Sequence, residues 1–312
     1  MDKFIVADVG GTQIRVALFS GEATQPEVLR KISTRDKDTS ALDRLASLIE
    51  ELLTMSSTVK KIVVAVPGFM DPTSGLVYEA VNIPGWTNLP IGQILMDRFG
   101  IPVKVGNDAN LAALGEWRFG AGRGHHNLLY LTISTGIGGG AIINDHLLLG
   151  DRGLAAEFGH VTVIPDGPLC PCGQRGHLEA IASGTAIERF VSEKIELGYP
   201  SVLSSIKHIT ASDVSKAALN NDQLAVRAMN RAGTYIGYAI ADFLHLLNPS
   251  IVILGGGVAR SGSLLIEPII AALPERIMDR GYIDRLLITT ATLGDEAGLM
   301  GGLAYARDVP DS

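Results

Sequence analysis

The feature of this sequence that most restricts its fold is a pattern of strand, glycine turn and strand that occurs twice. The first copy spans Phe4–Phe19 and the second spans Leu128–Ile143. Short β-type runs on either side of a glycine turn predict a β-hairpin. Each copy is followed later by a buried-type strand that ends in glycine, at Lys61–Gly68 and at Ser250–Gly257. The sequence therefore predicts two halves of similar plan, each of which opens with a hairpin.

Helical patterns lie between the predicted strands. One begins after Ser40, and a longer one runs from about Leu224 to Leu247. A strand at Ile101–Val105 precedes a helix at Asn110–Arg118, so Gly106–Asp108 is a junction at the carboxyl end of a strand. Side chains at such junctions project into the crevices where α/β proteins bind ligands.

The alternation of strands and helices predicts an α/β fold. The chain has 312 residues, which suits about two domains. We place an N-terminal α/β domain at residues 1–117 and a C-terminal α/β domain at residues 118–312, and we leave open a return of the C-terminal helix to the first domain.

Composition excludes several classes of protein. Lys plus Arg is 26 and Asp plus Glu is 33, so the net charge of −7 argues against a nucleic-acid partner. The longest uncharged stretch, Asn127–Asn144, is broken by glycines and hydroxyl residues, and it does not meet the requirement for a membrane span. Two cysteines in a chain of this length are too few for a disulfide framework. We expect a soluble protein of the cytoplasm.

Glycine is enriched at particular places. The chain has 36 glycines, whereas the usual share of about 7% would give roughly 22. Glycine turns leave backbone N–H groups open to an anion, and the neighbouring threonines add hydroxyl donors. A single glycine pair is more often an ordinary hairpin turn. Two such turns, the first preceded by Asp8, favour a bound nucleotide, although neither matches the usual phosphate-loop or dinucleotide patterns.

A candidate metal site lies in a segment rich in proline and glycine, residues 165–176. His160, Cys170, Cys172 and His177 lie close together around this segment, and two thiolates with two imidazoles form a tetrahedral Zn²⁺ site. A metal would supply the stability that a loop without a core lacks. The alternatives are two buried thiols with two surface histidines, or a redox pair, for which one intervening residue is the wrong spacing.

Several polar side chains form a candidate site for a polyhydroxylated ligand. Asp108, at the strand-to-helix junction, is suited to accept a proton from a hydroxyl group. For an isolated carboxylate, a helix cap or a salt bridge is the usual role. The set as a whole is rich in the acceptors and amides that sugar hydroxyls require; its members are Asn107, Asp108, Glu157, His160 and Glu179.

The chain resembles the ROK family of sugar kinases and sugar-responsive repressors, in particular its glucokinases. The resemblance covers nearly the whole chain, and the order of its motifs is specific. The motifs are Asp8–Thr12, Val66–Gly68, Asn82–Trp86, Gly106–Asn110, Thr135–Gly140, Glu157–His160 and Cys170–Glu179, followed by Ser183-Gly184.

The resemblance implies an actin-like ATPase (ribonuclease H-like) fold with two domains around a central cleft, and transfer of a phosphoryl group from ATP with Mg²⁺ to the 6-hydroxyl of glucose. It implies that Asp108 is the general base and that the protein is a homodimer or a higher homo-oligomer. The implied sugar-binding residues are Asn82, Asn107, Asp108, Glu157, His160 and Glu179. The implied residues for nucleotide and Mg²⁺ are Asp8, Gly10, Gly11, Thr12, Thr135, Gly136, Gly255, Gly256 and Gly257.

The chain departs from the family pattern at one metal ligand. His177 stands where the family usually has a third cysteine. Because imidazole also binds zinc, we expect a structural Zn²⁺ held by His160, Cys170, Cys172 and His177, with the second ring nitrogen of His160 directed toward the sugar.

Other functions are weighed against glucose phosphorylation. One is a kinase for N-acetylmannosamine, N-acetylglucosamine or fructose. The motif Asn82–Trp86 favours glucose over these sugars. Another is a sugar-sensing repressor, for which the first hairpin, beginning at Phe4, leaves no room for a preceding DNA-binding domain. An actin-like chaperone ATPase would not explain the cluster of Glu157, His160 and Glu179.

Overall fold

The structure is a computed structural model that describes residues 2–80 and 82–308. Its strands are β1 Lys3–Val9, β2 Gln13–Ser20, β3 Val28–Ser33, β4 Val59–Val66, β5 Phe69–Asp71, β6 Leu76–Glu79, β7 Thr87–Leu89, β8 Val103–Asn107, β9 Leu128–Ile133, β10 Ile137–Ile143, β11 His146–Leu147, β12 Ile251–Gly255 and β13 Leu287–Thr290. Its α-helices are α1 Ala41–Thr54, α2 Ile91–Phe99, α3 Asp108–Phe119, α4 Glu179–Ala182, α5 Gly184–Glu196, α6 Ala211–Leu219, α7 Gln223–Leu247, α8 Gly256–Ala259, α9 Ser263–Ala272 and α10 Ala297–Asp308.

The chain divides into two compact units. Unit 1 comprises Met1–Arg123, Leu147–Ala156 and Asp295–Ser312. Unit 2 comprises Gly124–His146 and Glu157–Gly294.

Each unit contains a five-stranded sheet built on the same plan. In unit 1 the order is β3-β2-β1-β4-β8, with β1 antiparallel to β2 and parallel to β4. In unit 2 the order is β11-β10-β9-β12-β13, with β9 antiparallel to β10 and parallel to β12. The two predicted hairpins, the similar plan of the two halves and the α/β class are therefore confirmed.

The cores consist of apolar strand residues and of buried helix residues, which in α3 are continuous from Ala109 to Trp117. Strand β4 is buried from Ile62 to Val66, which explains why it lacks polar alternation. Helix α1 begins after Ser40, whose side chain accepts a hydrogen bond from Asp43 N at 3.1 Å. Helix α7 ends at Leu247, and Asn248 adopts a left-handed conformation with φ 43°. Both predicted helix boundaries are confirmed.

The boundaries predicted around the junction of β8 and α3 are wrong. Strand β8 is Val103–Asn107 and not Ile101–Val105, because its pairing with β4 runs from Val103 to Asn107. Helix α3 begins at Asp108, two residues before the predicted start at Asn110. The reason is Asn107, whose side-chain oxygen accepts hydrogen bonds from Ala109 N at 2.9 Å and Asn110 N at 3.0 Å and so caps the helix. Asp108 is therefore the first residue of α3.

Close packing of α3 on α10 fixes this part of unit 1. A Cβ atom on Gly115 would lie 2.8 Å from Gly301 N and 2.7 Å from Ala297 O. The two helix backbones can approach this closely only because both contact positions are glycine.

Among the described residues, no helix is both long enough and apolar enough to cross a membrane.

Candidate functional site

The first turn, Gly10–Thr12, connects β1 to β2. Its carbonyl groups are held by Thr34, which donates from N to Thr12 O at 2.9 Å and from Oγ1 to Gly10 O at 2.5 Å. Asp8 lies opposite Arg15 in the register of the hairpin, and Arg15 Nη2 donates to Asp8 Oδ2. Arg15 was not among the site residues predicted from the sequence. Its place opposite Asp8 in the predicted hairpin could have indicated it.

The first turn also contacts a residue of the predicted sugar set. A Cβ atom on Gly11 would lie 2.6 Å from Asn82 Cβ and 3.3 Å from Asn82 O. Glycine at this position therefore lets the Asn82 loop lie directly against the turn. Within unit 1, the structure brings Asn82 together with the predicted phosphate residues.

The junction between β8 and α3 places Asn107 and Asp108. Asn107 Nδ2 donates to Gly68 O at 3.0 Å, while its Oδ1 caps α3. Gly68 has a φ of +97°, and a Cβ atom there would collide with the Glu79 carbonyl. Asp108 Oδ1 accepts from Ala109 N at 2.8 Å. The side chain of Asn107 thus holds the start of α3, and with it the backbone of Asp108, in place.

The second turn, Ser134–Gly136, connects β9 to β10 in unit 2. Its carbonyl groups accept from Gly184 N, at 2.7 Å from Ser134 O, and from Thr185 Oγ1, which contacts Thr135 O. Glu179 Oε2 accepts from Ile137 N at 2.9 Å, and a Cβ atom on Gly136 would collide with that carboxylate oxygen. The second turn therefore lies directly against Glu179, another member of the predicted sugar set.

The four predicted metal ligands come together in unit 2. Their ligand atoms all lie within 4.8 Å of one another. His160 Nδ1 is 3.4 Å from His177 Nδ1 and 3.7 Å from Cys170 Sγ, and Cys172 Sγ is 3.2 Å from His177 Nδ1. Zinc bond lengths give tetrahedral edges of roughly 3.3 Å between two nitrogens and roughly 3.6 Å between nitrogen and sulfur. The donor types are those of a Zn²⁺ site, and the separations of 3.4 Å and 3.7 Å are close to these edges.

Burial changes the proton affinity of three groups around this cluster. Burial raises the pKa of the Cys170 thiol to about 12, and it lowers the pKa of His177, which His160 lowers further. Burial also raises the pKa of Glu157, with opposing contributions from His160 and Glu179. Glu157 is therefore within electrostatic reach of both His160 and Glu179. Cys170 Sγ lies 3.7 Å from Glu179 Oε1, so Glu179 reaches from the second turn to the cysteine.

A pocket of about 550 Å³ lies beside the second turn, within unit 2. This volume is typical of small-molecule sites. It brings together Thr135 and Gly257, which the sequence predicts to bind nucleotide, with residues that the sequence analysis missed. Those residues include Thr185, Glu188, Ser215, Lys216, Arg260 and Ser261. They were missed because helices α5, α6 and α8 meet there from distant parts of the chain.

The remaining glycine cluster ends strand β12 and begins helix α8. A Cβ atom on Gly256 would collide with the Ile133 carbonyl, and one on Gly255 would collide with the Tyr130 hydroxyl. Both glycines therefore pack against β9, the strand that leads into the second turn. A Cβ atom on Gly257 would meet nothing within 4 Å, in agreement with its place on the pocket wall.

Comparison with known proteins gives one consistent result. A model described as the ROK family matches residues 4–309. Glucokinase of Thermotoga maritima is 36% identical over 98% of each chain. A ROK family glucokinase from Streptomyces griseus, solved in complex with glucose and AMPPNP, is 32% identical with a TM-score of 0.81, covering 98% of this chain and 100% of that one. The xylose repressor of Bacillus subtilis is 28% identical over 95% of this chain and 72% of its own length.

Proposed function

The chain belongs to the ROK family, as its motifs predict, and we propose that it is an ATP-dependent glucokinase that phosphorylates the 6-hydroxyl of glucose. The proposal rests on the similarity over the whole chain to glucokinases, one of which was solved with glucose and AMPPNP. The fold is accordingly the actin-like ATPase fold of this family. The lower identity to xylose repressors favours the kinase over the repressor.

Asp108 acts as the general base in this proposal. Its carboxylate accepts the proton of the 6-hydroxyl while that oxygen attacks the γ-phosphorus, and the bond between the γ-phosphorus and the β,γ-bridging oxygen breaks to release ADP. The hydrogen bonds of Asn107 to Gly68 and to the start of α3 hold the backbone of Asp108 in place. Catalysis then consists mainly of positioning and electrostatic stabilisation.

The sugar is bound by the polar side chains of the proposed sugar-binding set. Asn82 lies against the first turn and Glu179 against the second. Asn107 contributes its remaining amide hydrogen, since its oxygen caps α3. The other three members of the set are Asp108, Glu157 and His160.

The proposed nucleotide-binding residues lie in the glycine turns and at the junction of β12 and α8. In this proposal Gly10, Gly11, Thr12, Thr135 and Gly136 meet the phosphates, and Gly255–Gly257 meet the adenosine; Thr135 and Gly257 line the pocket beside the second turn. Asp8 fits a Mg²⁺ ion by donor type, because Mg²⁺ prefers carboxylate oxygen. When bound, Mg²⁺ would neutralise charge on the phosphoryl group.

A structural zinc ion would be held by His160, Cys170, Cys172 and His177. Their donor types and separations support this assignment. Both imidazoles present Nδ1 to the cluster, which leaves Nε2 of His160 for the sugar. The zinc would thereby fix the orientation of a sugar-binding side chain.

A panel of acceptors tests this function. We expect ATP-dependent phosphorylation of glucose with a higher kcat/KM than mannose, fructose, N-acetylglucosamine or N-acetylmannosamine. We expect Asp108→Asn to lower kcat about 100-fold or more, because proton transfer to a placed base contributes on that scale. Product formation is measured by a coupled ADP assay.

The matched control is Asp97→Asn, an exposed carboxylate on α2 of the same unit. Its kcat should equal that of the wild type, and circular dichroism should show both variants folded. A folded Asp108→Asn protein with near-normal kcat would refute the general base. A higher kcat/KM for an N-acetylated hexosamine would refute glucose as the preferred acceptor.

A further inference from the structure

Arg15 occupies a particular place beside Asp8. The two residues face each other across the β1–β2 hairpin, where the register pairs them directly. Arg15 Nη2 donates to Asp8 Oδ2, and Arg15 Nη1 donates to the backbone carbonyl of Asp295. The side chains are only 18% and 14% exposed. One guanidinium group thus joins Asp8 to the segment that precedes α10.

Helix α10 closes the other side of the Asp8 carboxylate. A Cβ atom on Gly298 would lie 2.8 Å from Asp8 Oδ2 and 3.1 Å from Asp8 Cγ. The carboxylate therefore lies between the Arg15 guanidinium and the α10 backbone, and its side chain has little freedom to rotate. Asp295 is 280 residues from Arg15 in sequence, so this arrangement is produced by the fold of unit 1.

The geometry requires arginine. Its planar guanidinium directs two N–H groups to two different acceptors at once, whereas a lysine ammonium is a single point charge on a flexible stem. An ordinary surface ion pair contributes little because water screens it. Arg30 and Glu51 in the same unit form such a pair, with side chains 41% and 42% exposed. The Arg15 pair differs in both burial and the second acceptor.

We propose that Arg15 is a positioning residue for the nucleotide side of the site. It fixes the carboxylate of Asp8 in the orientation in which Asp8 meets the Mg²⁺–nucleotide, and it ties that orientation to the start of α10. The proposal rests on the proposed kinase function, because only a nucleotide substrate gives Asp8 this role. Arg15 itself takes no part in proton or phosphoryl transfer.

The test compares Arg15→Gln, Arg15→Lys and the control Arg30→Gln. We expect Arg15→Gln to raise the KM for MgATP about tenfold or more, to lower kcat less than that, and to leave the KM for glucose within twofold. Arg15→Lys should fall between this variant and the wild type, because it keeps the charge and loses the second hydrogen bond. Arg30→Gln should match the wild type.

A second readout requires no turnover. Calorimetry with AMP-PNP and Mg²⁺ should show weaker binding to Arg15→Gln by the same factor. In protein without nucleotide, the melting temperature of Asp8→Asn/Arg15→Gln should fall by less than the summed losses of the single variants, as expected for coupled residues.

Two outcomes would overturn the inference. One is a MgATP KM of Arg15→Gln that equals that of Arg30→Gln in an enzyme whose wild type is active. The other is a change confined to the glucose KM. A wild-type protein that phosphorylates no sugar and binds no nucleotide would instead refute the proposed function, and the melting cycle would then report the ion pair alone.

Discussion

The two glycine turns have the same length and the same place in their sheets, but they pack against different surroundings. The first turn lies against Asn82, and the carboxylate of Asp8 beside it is held by Arg15. The second turn lies against Glu179, which also accepts a hydrogen bond from Ile137 N. In both units the turn glycine makes room for a residue of the proposed sugar-binding set.

The difference lies in what anchors that residue. Glu179 contacts both the second turn and Cys170, which is one of the four candidate metal ligands. Asn82 belongs to unit 1, whereas all four candidate metal ligands belong to unit 2. The same local pattern is thus linked to the candidate metal ligands in unit 2 and to the contacts of Asn82 and Arg15 in unit 1. The two turns should respond differently to the same perturbations.

The largest difference is expected on removal of zinc. Purified protein should contain one zinc ion per chain, and a strong chelator should lower activity at least tenfold, because the loop around residues 165–176 has no core of its own. Hydrogen exchange should accelerate in this loop and in the second turn, while the first turn keeps its protection. Zinc content is measured by elemental analysis and exchange by mass spectrometry.

Matched variants make this experiment specific. His177→Ala should lose zinc, His177→Cys should retain it, and His126→Ala should retain it as well, since His126 is an exposed histidine of unit 2 that pairs with Asp145. Verified metal-free protein with unchanged exchange at the second turn would contradict the link through Glu179.

The next effect is expected from filling the space at each turn. Gly136→Ala should displace Glu179, and Gly11→Ala should displace the loop at Asn82, because the added methyl group would overlap those residues. We expect each variant to raise the KM for glucose about tenfold, measured by initial rates. Gly136→Ala should also weaken zinc retention, and Gly11→Ala should not, because Glu179, the residue that Gly136→Ala displaces, contacts Cys170.

Gly281→Ala serves as the control for these variants. Gly281 is exposed, and an added Cβ atom would meet only the side chain of Asp279, at 3.0 Å. Equal zinc retention in Gly136→Ala and Gly11→Ala would remove the proposed distinction between the turns.

Much of the fold and of the candidate site could be predicted from local patterns. The hairpins, the capped start of α1 and the end of α7 depend on residues that are close in sequence. The four metal ligands span residues 160–177, so their spacing alone indicated a cluster. The junction at Gly106–Asp108 was also predicted, although the cap formed by Asn107 starts α3 earlier than the apolar pattern indicated.

The contacts that distinguish the turns could not be predicted in this way. Arg15 reaches Asp295, and Thr185 reaches Thr135, across long separations in sequence. A pattern search finds the turn but does not identify the distant residue that holds it. The burial of such a residue cannot be predicted from its type either. Thr34 and Thr185 are both threonines that donate to turn carbonyls, but Thr34 is buried and Thr185 is exposed.

This difference in exposure leads to the smallest predicted effect. Thr34 is 2% exposed and donates to Gly10 O, whereas Thr185 is exposed and donates to Thr135 O. Thr34→Val should lower the free energy of unfolding by about 1–2 kcal/mol, because the Gly10 carbonyl loses a donor that a buried side chain supplies. Thr185→Val should lower it by less than about 0.5 kcal/mol, because water replaces the lost donor at an exposed position.

Urea titration measures both changes, and kinetics separates stability from function. Thr185 lines the proposed nucleotide pocket, so Thr185→Val should raise the KM for ATP about threefold despite its small effect on stability. Thr34→Val should show the reverse, with a clear loss of stability and less change in the KM for ATP. Equal losses of stability in the two variants would show that burial of the threonine does not determine its contribution to the free energy of unfolding. An unchanged KM for ATP in Thr185→Val would show that Thr185 does not contribute to nucleotide binding.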